Sequence, residues 1–284
     1  MRRETPASPP DDILSIDGPV LVGTDDSDRS RDALSLGRML ADAMRSQLLS
    51  AYVHHFEDVG ALLSGGPATE ALELIDQVAA SKNRRAQAAV RAAGASPLPM
   101  STARTVAAGL HRLAVSRRAA IIVLGPRRPR SRFELAPSTA QRLLARRTHA
   151  VAIAPINCQQ SGDLERVACV LDESPAARRV QQWAVALAKR SGADLQLIAA
   201  PRSRRDLAGW LARLERNGDL GLMIVGSKGP NPVLARLRSD LAMALAGPTG
   251  HPTVVVPVRD TEALTASART HNHRRSARPA RRAA

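Results

Sequence analysis

Residues 20–41 read VLVGTDDSDRSRDALSLGRMLA, an apolar run that breaks on Asp25, Asp26 and Asp28 and then resumes with apolar residues at helical spacing. The run PVLVGT, residues 19–24, has the length and composition of a buried strand. Ala33, Leu36, Leu40, Ala41 and Met44 recur at spacings of three and four, which places them on one helical face. Carboxylates between the two sit at the positive end of the helix dipole, where negative charge is favourable. Ser27 or Asp28 is positioned to cap the first amides, and Asp26 and Asp28 read as part of that cap.

The same alternation continues outward. QLLSAYV (47–53) reads as a second strand, residues 68–94 as a long Ala-rich helix ended by Gly94, and LPMSTA (98–103) as a weak strand. A helix at 106–118, the strand AAIIVLG (119–125), a helix at 137–147 and the strand HAVAIAP (149–155) follow. Strands alternating with helices imply a parallel sheet with right-handed crossovers. INCQQSGDLE (156–165) suits a linker, after which the pattern restarts: RVACVLDESPAARRVQQWAVALA (166–188) echoes the opening stretch. ADLQLIAAP (193–201) is its next strand, RDLAGWLARLERN (205–217) a helix, and GLMIVGSKG and TVVVPV the closing strands. No counterpart of the long helix or the weak strand follows residues 193–201, so the second sheet is expected to lack an edge strand.

The chain therefore divides into two α/β units, 19–155 and 166–258, each expected to fold as its own layered sandwich, with the second truncated. The Pro-rich leader, 1–18, and the tail, 259–284, read as disordered. Of 284 residues, 44% are hydrophobic and 2% aromatic, so the core is aliphatic, with Trp183 and Trp210 as its large anchors. Cys158 and Cys169 are the two cysteines, and neither a signal-peptide layout nor a run of roughly 20 apolar residues occurs. A cytoplasmic protein without a membrane segment is the expectation. A net charge of +15 favours anionic partners, and the last twenty residues, 265–284, carry six arginines and no acid. Non-specific nucleic-acid binding through that tail is the reading the charge suggests. Scarce aromatics and the lack of a helix-turn-helix or finger pattern argue against base recognition.

In an open parallel sheet, ligands bind beyond the carboxyl ends of the strands, where the strand order reverses. Asp25 stands at such an end, and Asp172 occupies the equivalent place in the second unit. Each carboxylate suits either capping of the next helix or hydrogen bonds from an adenine amine or ribose hydroxyl. VGTDDS and, more loosely, CVLDES match the first-strand pattern V-x-V-D-x-S of the universal stress protein family. The chain resembles that family, in a tandem two-domain form, over most of residues 19–258.

The resemblance implies two three-layer, Rossmann-like units of the adenine-nucleotide alpha-hydrolase kind, with ATP held on a loop of the form Gly-x-x-Gly, about nine residues, then Gly and Ser or Thr. Such a loop offers bare backbone amides to phosphates. In the first unit Gly125 opens the motif, Arg128 replaces the second glycine, and Pro137, Ser138 and Thr139 stand in for the later Gly-Ser. A side chain at a position that needs glycine obstructs close phosphate approach. In the second unit Gly226 and Gly229 are in place, and Ser239 is followed by Asp240. The resemblance thus assigns Asp25, Gly125, Ser138 and Thr139 to one nucleotide site and Asp172, Gly226, Gly229 and Ser239 to the other, with ATP binding weak or lost. It also implies edge-to-edge pairing of the last strands, either internally, giving a pseudo-dimer of HAVAIAP and TVVVPV, or between chains in a homodimer.

Other chemistries find less support. SGGP (64–67) resembles the pyrophosphate loop of adenylating enzymes but does not follow the first strand, and no aspartate succeeds it. His54 and His55 are adjacent and point to opposite faces of a strand, while His271 and His273 lie in the tail, so no metal is expected. No G-x-S-x-G motif occurs. The expectation is a stress-linked binding or regulatory module without catalytic activity, or else an anion or nucleic-acid binder using the arginines of residues 127–132 and the tail.

Overall fold

The computed structural model of the chain describes residues 15–25, 27–55, 68–126, 138–158, 163–172, 177–201, 206, 209–210, 212–213, 221–227 and 251–257. The first group of elements is β1 (Val20–Thr24), α1 (Arg29–Ala43), β2 (Leu48–His55), α2 (Ala68–Ala92), β3 (Ser96–Pro97), β4 (Ser101–Ala103), α3 (Val106–Arg117), β5 (Ile121–Leu124), α4 (Thr139–Ala145) and β6 (Ala150–Ile153). The second is β7 (Arg166–Leu171), α5 (Ala177–Ser191), β8 (Asp194–Ala199), β9 (Leu222–Ser227) and β10 (Thr253–Pro257). Residues 209–210 and 212–213 are helical as well, within the stretch expected to form a helix after β8.

The strands form one sheet in the order β3-β2-β1-β5-β6-β10-β9-β7-β8, with β4 also on β2. Every pairing is parallel except β6 with β10, where Thr253 faces Ile153, Val254 faces Ala152 and Val255 faces Val151. Two separate sandwiches are therefore not what forms. The two strand groups share one continuous sheet, through the internal one of the two pairings left open by the sequence. The physical reason lies in β6 and β10 themselves: every residue of both strands is buried, so neither tolerates a wet edge. At the far end of the second group β8 closes the order, and its burial is low, with Leu197 48% exposed. The equivalent position in the first group, β2, is flanked by β3 and β4.

Period-two alternation sends successive strand residues to opposite layers. Val20, Val22 and Val254 face a core made with Leu36, Leu40 and Met44 of α1, Val90 of α2, and Trp183 and Leu187 of α5. Leu21, Ile122, Val151 and Val255 face a second core with Leu110 of α3, Leu143 and Leu144 of α4, and Trp210. Both cores run across both strand groups. Trp210 earns its burial with a bond from its indole N–H to the Ala199 carbonyl, 2.9 Å. Close approach of α1 to the sheet requires Gly37, since a Cβ there would lie 2.4 Å from Cγ2 of Val22.

Two connecting segments are also drawn in. Of the leader read as disordered, residues 15–18 are described, and Ile16 is buried in the α1 core. Beside it Asp17 accepts from Arg190 at the end of α5, 2.6 Å, and the same guanidinium lies 3.4 Å from the Met44 carbonyl at the end of α1. In the linker Cys158 is buried and its amide donates to the Asp32 carboxylate of α1, 2.8 Å, while Leu164 also joins the core.

Val254 is fully buried opposite Ala152 at the joint. The substitution Val254→Asp sets an unpaired carboxylate there, at a cost of several kcal/mol. Calorimetry is expected to show a split or abolished thermal transition. A single transition at the wild-type temperature would mean that the joint carries little of the stability.

Candidate functional site

β1 lies between β2 and β5, so the chain leaves it on one side and returns on the other, and the strand order reverses at the carboxyl ends of β1 and β5. β7, between β9 and β8, makes a second reversal. Because β6 and β10 run antiparallel, the two crevices open on opposite edges of the sheet.

At the first crevice the Asp25 carboxylate is tied into the start of α1. Its Oδ1 accepts from the Ser27 amide, 2.9 Å, from the Ser27 hydroxyl, and from the Ser30 hydroxyl, 2.7 Å. The Ser30 oxygen in turn accepts from the Asp25 amide, 2.7 Å. Asp28, one of the two alternative caps expected for α1, has helical angles (φ −58°, ψ −26°) and makes no side-chain cap bond. Its carboxylate lies 3.4 Å from Arg31, both groups well exposed. For Asp28 the capping expectation is thus corrected, and Asp26 lies outside the described residues. With Asp28 already helical, its side chain cannot fold back over the first amides, and Asp25 and Ser30 close the turn instead. Ser30 was missed in the sequence, where its spacing of five from Asp25 was the usable signal. Thr24 was missed as well: it is buried, 3.0 Å from the Ser50 hydroxyl, and donates to the Ala51 carbonyl at 3.3 Å, which pins β1 to β2 at the rim.

Gly125 follows β5 directly under α1. A Cβ there would lie 2.6 Å from the Arg29 carbonyl oxygen, so the packing of the first helical turn demands glycine whether or not a phosphate binds. Ser138 caps α4 in a reciprocal box: its hydroxyl accepts from the Gln141 amide, 3.2 Å, and its own amide donates to the Gln141 side chain, 2.8 Å. Thr139 is the first residue of α4 and half-buried. At the second crevice Asp172 follows β7 and is exposed, while Gly226 lies within β9, in register with Val256 of β10. Gly229, Ser239, residues 64–67 and 127–132 and the basic tail lie outside the described residues.

Among the described residues no three His, Cys, Asp or Glu side chains converge as a metal site would require. Both cysteines are free and buried, and burial pushes the Cys169 thiol up to about 12, which keeps it protonated and unreactive. No described helix is long and apolar enough to cross a membrane.

The family model described as the universal stress protein family matches residues 18–155. A universal stress protein from Archaeoglobus fulgidus DSM 4304 is similar in fold across 86% of this chain and 97% of its own, with a TM-score of 0.60 at 16% identity. A protein of the same family from Burkholderia pseudomallei covers 49% of this chain and 96% of its own, at 24% identity and a TM-score of 0.37. No curated protein matches the chain.

Two substitutions separate structural from ligand roles at the first crevice. Gly125→Ala is expected to cost about 1–3 kcal/mol through the clash with Arg29, read as a lowered midpoint in urea without any nucleotide present. Asp25→Ala removes the shared acceptor of three donors and is expected to cost about 1–2 kcal/mol, whereas Asp25→Asn keeps a carbonyl oxygen and loses less. Equal midpoints for wild type and Asp25→Ala would show that the turn does not depend on this carboxylate.

Proposed function

We propose that the chain is a tandem universal stress protein, two adenine-nucleotide-type α/β units of which the second is truncated, acting as a cytoplasmic stress-response binding or regulatory module rather than as an enzyme, with weak or lost ATP binding. One observation carries the reading: the groups that would meet a nucleotide at the first crevice already serve the fold. Asp25 Oδ1 has three internal donors, Ser138 holds the α4 cap, and the space above Gly125 is filled by the Arg29 backbone.

Magnitudes favour the same conclusion. A hydrogen bond to a charged group is worth roughly 1.5–3 kcal/mol net. A ribose hydroxyl that displaces one of the internal donors exchanges one such bond for another and gains little. The remaining affinity would have to come from phosphate contacts. There, Arg128 stands where a glycine would leave amides open, and Asp240 follows Ser239 where negative charge opposes an anion. The tandem reading draws support from the repeated order of connections on either side of the β6–β10 joint and from the matching placement of Asp25 and Asp172 after β1 and β7.

Isothermal titration with ATP and AMP, on protein freed of carried-over nucleotide, tests the proposal. The expected dissociation constant is weaker than about 0.1 mM, a binding free energy smaller than roughly 5.5 kcal/mol. Micromolar affinity that Asp25→Asn abolishes would overturn the claim of a worn site.

The net charge of +15 and the arginine tail favour a second reading on the same fold, sequence-independent binding of nucleic acid. Its mark is a gel shift that fades steeply with salt and disappears when residues 259–284 are removed.

A further inference from the structure

The amino edge of the first strand group, away from the crevice, gathers cations. Arg45, Arg118 and Arg147 each stand three residues before a strand (β2, β5 and β6) and each is left-handed, with φ of 49°, 50° and 52°. Residues with a Cβ are disfavoured there, and glycine is the common occupant. The carbonyl ends of α1, α3 and α4 favour positive charge at these turns. Register between Ile121 and Ala150 sets the turn of Arg117 and Arg118 beside that of Arg146 and Arg147. None of these four arginines is ion-paired among the described residues.

Two imidazoles lie in the same place. The Thr148 hydroxyl is 3.2 Å from Nδ1 of His111 and 3.0 Å from Nδ1 of His149, and the rings meet edge to face with centroids 5.6 Å apart. A hydroxyl has one proton, so with both rings neutral it donates to one Nδ1 and accepts from the other. Burial, then the charge of Arg146, holds His111 below its ordinary value, and burial, then His111, brings His149 down to about 4. Among the described residues the surroundings supply no compensating acid. α3 offers Arg112 and Arg117, α4 offers Arg142 and Arg146, β4, β5 and β6 carry no charge, and the titratable groups of β2, Tyr52, His54 and His55, lie toward its carboxyl end.

We propose that this amino-edge cluster, His111 and His149 bridged by Thr148 and flanked by Arg118, Arg146 and Arg147, binds a phosphate-bearing anion and takes up a proton as it does so. A bound dianion screens the guanidinium charge that disfavours imidazolium, and a protonated ring adds a charge-assisted donor. By linkage, anion affinity rises as pH falls and the anion raises the imidazole pKa values. Without anion the sign for stability is the reverse. The folded pKa values lie below the unfolded value near 6.5, so the unfolded chain binds more protons, and stability is lost as pH falls from about 6.5 toward 4.

Histidine NMR on the full chain tests the site, with sulfate as a probe that stays dianionic between about pH 5 and pH 8 and pyrophosphate as the phosphate probe without adenine. Both anions are expected to shift the His111 and His149 resonances, raise their apparent pKa values by about one unit and bind roughly tenfold more tightly at the acid end of the range. The double variant R146Q/R147Q, both positions outside the core, is expected to weaken binding at least about tenfold while melting near the wild-type temperature. His149→Gln is expected to flatten the pH dependence of both affinity and melting. Imidazole resonances that ignore millimolar amounts of both anions, or an affinity that does not change with pH, would overturn the proposal. So would an ATP or pyrophosphate response confined to the amides of Asp25 and Gly125, because that places the phosphate at the opposite end of the strands.

Discussion

Everything in the architecture depends on the antiparallel contact between β6 and β10. Each is the last strand of its group, and each is apolar on both sides, as a central strand of a parallel sheet must be. Left alone, either would expose a row of backbone donors and acceptors beside valine and alanine, which is an invitation to aggregate. Pairing them satisfies both at once. The ion pair of Asp17 with Arg190 spans the same two strand groups, yet its carboxylate is largely exposed, and solvent screens such a pair so that it adds little stability. The joint is therefore held by ladder bonds and burial, with the ion pair adding orientation.

That contact also dictates where ligands can go. In a fully parallel sheet both carboxyl ends would crowd one edge, but reversal at the joint turns the two crevices away from each other. Each must then be completed by its own unit. The first strand group continues past β2 to β3 and β4, whereas the second ends at β8 without an equivalent of either among the described residues. A crevice with fewer walls removes less water from a ligand.

Strand positions were legible because the apolar runs are short and bounded: residues 19–24, 119–125, 149–155 and 253–258 all contain strands close to where the pattern puts them. Joining the two groups in one sheet was not legible, since β6 and β10 would look the same whether they pair within a chain or between chains. At the crevice, the positions of Asp25 and Gly125 after β1 and β5 were legible in the sequence, but their immediate partners were not. The bond from Ser30 to Asp25 depends on Asp28 being helical already, a backbone fact that composition cannot supply. Likewise the Arg29 carbonyl above Gly125 comes from the tilt of α1, which Gly37 makes possible by letting the helix settle against Val22. The His111 and His149 pairing, 38 positions apart in the chain, follows only from the register of β5 with β6.

Electrostatics connect these pieces. Helix starts at the carboxyl edge of the first strand group collect Asp25, Asp28 and Asp32, and helix ends at its amino edge collect arginines, so the layer is polarised along the strands in the sense that each helix dipole favours. A polyanion approaching a chain of net charge +15 is drawn in overall, with the aspartates opposing it at the carboxyl edge and the arginine turns attracting it at the amino edge. The carboxyl-end crevice and the arginine turns of the described residues thus lie at opposite ends of the same strands. An ATP-type ligand must bind against that arrangement unless the loop after Gly125 supplies its own positive charge, and Arg127, Arg128, Arg130 and Arg132 are the residues the sequence places there.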